Sequence, residues 1–172
     1  RFALDALRRL IHMFGDVVMN VPHGAFEAAF TAVKKKFGVT YDTEMEVEGL
    51  TELIRAYRQV CLKHTRRSFP DDPFQQLQQS IEAVFRSWNT ARAAAYRRIH
   101  NIRGLLGTAV NVQAMVFGNM GNDSGTGVAF TRDPTTGANE FYGEFLINAQ
   151  GEDVVAGIRT PQPLADMGRW KP

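Results

Sequence analysis

Residues 118–137 read GNMGNDSGTGVAFTRDPTTG, and five of these twenty positions are glycine. The whole chain has 172 residues and 15 glycines, so a third of them fall here. Removing side chains lets a backbone approach a neighbour closely and lets N–H groups converge on an anion. Ser124 and Thr126 place hydroxyls beside Gly125 and Gly127. This composition suits a phosphate cradle. It equally suits a hairpin connection with turn glycines. Spacing does not choose between the two: there is no Walker-type lysine and no G-x-G-x-x-G opening a helix.

Strand patterns flank this stretch. Upstream, residues 108–117 (TAVNVQAMVF) alternate Val110, Val112, Ala114 and Val116 against Asn111 and Gln113. Downstream, residues 127–132 (GVAFTR) and 141–148 (FYGEFLIN) read as two more strands, joined by a turn at Asp133-Pro134-Thr135-Thr136-Gly137. Before residue 108 the period is helical. Apolar faces at i, i+3, i+4 spacing run through Leu7, Leu10, Ile11, Phe14, Val17 and Val18, and then through Phe26, Ala29, Phe30, Val33 and Phe37. A third face runs from Leu50 to His64 and a fourth from Phe74 to Trp88. Thr90 is placed to cap a fifth helix ending at Ile99. Pro22, Gly38 and Pro70-Asp71-Asp72-Pro73 punctuate them. The expected fold is α+β: a helical subdomain over residues 1–107, then a glycine-rich, mostly antiparallel β part over 108–172.

Hydrophobic residues make up 44% and charged residues 22%, a globular composition. No apolar run is long enough for a membrane span, and Asp5, Arg8 and Arg9 stand where a signal peptide would be apolar. The chain opens at Arg1 inside an amphipathic pattern and closes at Trp170-Lys171-Pro172, as an internal piece of a longer protein would. The single cysteine, Cys61, excludes an internal disulfide and lies on an apolar stripe, so a buried thiol is expected. Residues 1–107 carry 16 Lys/Arg against 11 Asp/Glu, whereas 108–172 carry 4 against 7. An acidic glycine-rich half argues against a nucleic-acid partner.

A second candidate stretch, residues 143–157 (GEFLINAQGEDVVAG), sets Glu144, Gln150, Glu152 and Asp153 around an apolar strand. Carboxylates in such a loop can hold Mg²⁺ or a ribose hydroxyl, or lie solvated. None of the four histidines sits in an H-x-x-x-H spacing, and none is assigned a role. Lys34-Lys35-Lys36 suits the C-terminus of a helix. Arg92, Arg97, Arg98 and Arg103 can face phosphate or pair with the acidic half.

Three runs, TAVNVQAMVFGN (108–119), SGTGVAFTRDPTTG (124–137) and YGEFLINAQGEDVVAGIRTPQP (142–163), resemble the pyruvate, phosphate dikinase family. So do RFALDALRRLIHMFGDVVM (1–19) and AVFRSWNTARAAAYRR (83–98). Phosphoenolpyruvate synthases and glucan/water dikinases share the domain and are less similar. The resemblance implies part of an ATP-grasp domain that binds Mg-ATP between two lobes. ATP phosphorylates a histidine on a separate swivelling domain, which passes the group to pyruvate in a third domain and gives phosphoenolpyruvate. Carried onto this chain, Gln113, Met115 and Val116 line the adenine, Ser124, Gly125, Thr126 and Gly127 cover the phosphates, and Glu144, Gln150, Glu152 and Asp153 form the acidic loop. Arg8 or Arg9 corresponds to an arginine near ATP.

Set against that pattern, the upstream glycine-rich segment with its lysine and arginine is absent, and the main magnesium carboxylates fall beyond residue 172. The nearest lysine downstream of the glycine loop is Lys171. No catalytic residue or metal ligand is therefore assigned, and the chain alone is expected to be inactive. Family members occur in the cytoplasm, plastid or glycosome, and the parent is expected to be a homodimer. One rival reading is a helical docking module whose glycine stretch is only a hairpin; a second is the ATP-binding domain of a related dikinase such as phosphoenolpyruvate synthase.

Overall fold

In the computed structural model residues 1–155 and 159–169 are described, and the chain divides into two compact units, Arg1–Val112 and Gln113–Pro172. Five helices fill the first: α1 (Phe2–Val17), α2 (His23–Phe37), α3 (Val47–Thr65), α4 (Pro73–Ser87) and α5 (Ala91–Ile99). Three of them have ends that lie at signals in the sequence. Gly38 closes α2 in the left-handed conformation at φ 70°, where a Cβ would be strained, and Val39 N–H bonds back to Lys34 O. Asp72 caps α4 by accepting from Phe74 N–H, with Pro73 in the first turn. Thr90 caps α5 by accepting from Ala93 N–H.

The core of this unit lies where α1 and α2 each pack on α3. Ile11, Phe26, Leu53, Tyr57 and Cys61 are fully buried in it. Phe26 meets Tyr57 edge-on with centroids 5.0 Å apart, and burying an aromatic of this size contributes about 1.5–3 kcal/mol. Burial pushes the Cys61 thiol above its ordinary value, as an inert core cysteine requires. On α1, Asp5 is buried between Arg8 Nε at 2.7 Å and Arg9 Nε at 3.1 Å. Burial alone would raise the Asp5 carboxyl, but the two guanidiniums outweigh it and hold the group below its usual range. Burial and the neighbouring His23 push the His12 imidazole down.

Two expectations change here. The apolar face from Phe74 to Trp88 does form a helix, yet no residue of α4 is buried, and Phe74 is 82% exposed. The alternating segment 108–117 forms no strand. A strand must satisfy its N–H and C=O groups on a neighbour, and among the described residues none pairs with it. Alternation supplies a face, not a partner.

The second unit holds a three-stranded antiparallel sheet in the order β1 (Gly125–Phe130), β2 (Tyr142–Ile147), β3 (Gln162–Pro163). A short helix, α6 (Gly151–Val155), follows β2 where a loop was expected. The turn after β1 forms as expected: Asp133 Oδ1 accepts from the N–H groups of Thr135 and Thr136. These bonds hold the Asp133 carboxyl below its usual range.

Candidate nucleotide-binding site

Three glycines of the quoted stretch are required first by the chain's own backbone. Gly125 stands opposite Ile147, and Gly127 opposite Phe145. A Cβ on Gly125 would lie 2.8 Å from Leu146 O, and one on Gly127 would lie 2.7 Å from Glu144 O. One on Gly118 would collide with Ala149 O and Gly125 O. Gly125, Thr126 and Gly127 open β1 instead of lying in the loop before it.

The loop at 118–124 is closed by Ser124. Its Oγ accepts from Met120 N–H at 2.9 Å and Gly121 N–H at 3.0 Å, and donates to Gly121 O. The loop is then tied to the residues after β2. Asn148 N–H donates to Ser124 O and Ala149 N–H to Gly118 O, both at 2.8 Å. The Gln150 amide donates to Asn119 Oδ1. Asn148 itself has φ 48°, a left-handed turn that asparagine tolerates better than most residues. Arg159 pins the end of β2 by donating to Ile147 O and Asn148 O. Asn119, Asn148 and Arg159 were not singled out from the sequence; asparagine's taste for left-handed backbone was the one usable signal.

The expected site residues thus separate by what they already do. Gln150 and Asp153 are buried and committed: Gln150 to Asn119, and Asp153 to the α6 cap, where its Oδ2 accepts from Gln150 N–H at 2.8 Å. Glu152 is exposed on α6. Gln113, Met115 and Val116 lie at the surface on the irregular segment before the loop, with Val116 90% exposed. Thr126 and Glu144 are different. In the register Thr126 faces Leu146 and Val128 faces Glu144, so all four side chains share one face of the hairpin. Thr126 and Glu144 are diagonal neighbours, roughly 7–8 Å apart by backbone. Among the described residues, neither the Thr126 hydroxyl nor the Glu144 carboxylate has a hydrogen-bond or ion-pair partner.

Within this unit, among the described residues, no three carboxylate, imidazole or thiol groups converge on a point. With Asp153 turned onto its own helix, the donor set does not make a magnesium cage. Gly157, the end of the second candidate stretch, and Lys171 lie outside the described residues. In the helical unit, Arg8 and Arg9 are both held by Asp5, and Arg8 also lies over the Phe30 ring. Arg97 stacks on Trp88 at 3.8 Å. A groove of that unit, about 1070 Å³, is lined by Arg66, Arg67, Arg86 and His64 among others, and by none of the expected nucleotide residues.

A helical subdomain joined to an antiparallel glycine-rich hairpin is the make-up of an α+β chain carrying part of an ATP-grasp lobe. The family model described as "Pyruvate phosphate dikinase, AMP/ATP-binding domain" matches residues 31–166. Pyruvate, phosphate dikinase 1, chloroplastic, of Arabidopsis thaliana is 56% identical over 172 residues, all of this chain and 18% of the relative. Pyruvate, phosphate dikinase 2 of Oryza sativa subsp. japonica is 57% identical over 167 residues, 97% of this chain and 19% of the relative. The chain belongs to the pyruvate, phosphate dikinase AMP/ATP-binding domain family. It spans about a fifth of the length of these relatives. Among the described residues, no helix is long and apolar enough to cross a membrane.

Proposed function

We propose that this chain supplies part of the Mg-ATP site of a pyruvate, phosphate dikinase. In the parent, ATP phosphorylates a histidine on another domain, and the phosphoryl group goes on to pyruvate to give phosphoenolpyruvate. The observation that carries the reading is the shared face of Thr126 and Glu144, two polar groups with no partner among the described residues. The hydroxyl is placed to donate to a phosphate oxygen, and the carboxylate to accept from a ribose hydroxyl. Phosphoryl transfer rests on positioning and charge neutralisation. This chain contributes positioning, and the magnesium that neutralises the phosphates would be held by other residues of the parent. The chain alone therefore binds without turnover. Its acceptor domains, a homodimeric parent and a cytoplasmic or organellar setting belong to the same proposal.

Calorimetric titration of Mg-ATP into the chain tests it, with Thr126→Val as control. The variant keeps the shape of the strand and removes the hydroxyl. Loss of one such bond lowers affinity about five- to tenfold. Equal affinity in both proteins would overturn the placement of Thr126 at the nucleotide.

A second reading rests on α4, whose Phe74 and Phe85 are 82% and 51% exposed. On this reading that stripe docks on another part of the longer protein. Phe85→Glu should then lower the stability of the full-length protein and leave this chain unaffected; equal melting of both full-length proteins would remove the reading.

A further inference from the structure

Two i, i+4 pairs meet at the turn between α1 and α2. His12 and Asp16 share a face of α1, and His23 and Glu27 share a face at the start of α2. The turn between them passes through Asn20 at φ 57°. The His12 and His23 rings stack with centroids 4.9 Å apart. One ligand atom each from His12, His23 and Glu27 lies within 4.8 Å of the other two.

Two further observations point to a ligand. His12 Nε2 is buried with no hydrogen-bond partner, a state that is ordinarily unfavourable. His23 Nδ1 lies 3.1 Å from Asp16 Oδ2 and donates to it, which leaves His23 Nε2 facing Glu27 Oε1 at 3.9 Å. A carboxylate behind one ring nitrogen is how metal-ligating histidines are oriented.

We propose that the imidazoles of His12 and His23 and the carboxylate of Glu27 bind a divalent transition metal of the zinc class, with Asp16 orienting His23. Two nitrogens and one oxygen select such an ion over magnesium or calcium. Metal–ligand bonds of about 2.0–2.2 Å set tetrahedral ligands roughly 3.4 Å apart, so the three groups must close by somewhat over 1 Å. His23 and Glu27 have side chains 62% and 53% exposed and can rotate to do so. Water takes the fourth position. The ion clips α1 to the start of α2 and is separate from the nucleotide's magnesium.

The test is titration of Zn²⁺ alone into the full chain, read by calorimetry and by melting temperature, in the presence of excess Mg²⁺. The expected result is one equivalent bound and a raised melting temperature. His23→Ala, at an exposed position that the core does not use, should remove both effects and still fold by circular dichroism. Asp16→Asn should weaken binding about ten- to a hundredfold. Three results would each overturn the site: no zinc-dependent shift in the folded native chain, unchanged binding in both His23→Ala and Glu27→Gln, or displacement of zinc by Mg²⁺.

Discussion

The side-chain amide of Gln150 donates to Asn119 Oδ1 at 2.9 Å, joining positions 31 residues apart in sequence. With the Ala149–Gly118 and Asn148–Ser124 backbone bonds, it sews the glycine loop to the corner after β2. On the proposed function, Gln150 acts by holding this loop in place. Gln150→Ala should leave Asn119 without this partner at a part-buried site and loosen the loop. Mg-ATP affinity should fall about five- to tenfold, in keeping with one lost hydrogen bond. Unaltered affinity by calorimetry would mean that the loop needs no such tie.

Gly118→Ala tests the other role of the glycines. Its Cβ would collide with two carbonyl oxygens, Ala149 O and Gly125 O, neither at the end of a flexible side chain. The backbone must move, at a cost of about 1–3 kcal/mol. The loss should appear in a thermal melt with no nucleotide present. A variant that melts like the native chain would show that the loop yields without strain.

Asp5→Asn addresses the helical unit. The Asp5 carboxyl is held below its ordinary value of 3.8 by Arg8 and Arg9, against the opposing effect of burial. A depressed carboxyl contributes stability that is fully present above the unfolded value and is lost as pH falls through the folded one. At neutral pH the variant should be about 3 kcal/mol less stable, because it leaves the buried Arg8 uncompensated. The gap should narrow only below about pH 4. Urea melts at pH 7 and pH 3 measure it, and an equal gap at both would contradict the ion-pair account.

Cys61 is fully buried and its thiol is shifted upward by burial. Alkylation by a thiol reagent at neutral pH should therefore follow unfolding of the helical unit, with added denaturant accelerating it steeply. Labelling at the rate of a free thiol without denaturant would show that the core around α3 opens locally.

The sequence by itself determined most of the local structure. Helical periodicity and the signals at Gly38, Asp72, Pro73 and Thr90 placed five helices, because a cap or a left-handed glycine acts within a few residues. The DPTTG turn and the strand-like runs on either side of it placed β1 and β2 for the same reason. The glycine spacing located the candidate site but left its meaning open. Tertiary structure decided the rest, since each remaining question concerns a partner distant in sequence. It set Gly118 against Ala149, turned Asp153 onto its own helix, and left Thr126 and Glu144 on one face without partners among the described residues. Residues 108–117 found no neighbouring strand among the described residues, and an unpaired ladder edge does not make a sheet. His12 and His23 are eleven positions apart, a spacing no single helix brings together, and only the turn between α1 and α2 stacks their rings.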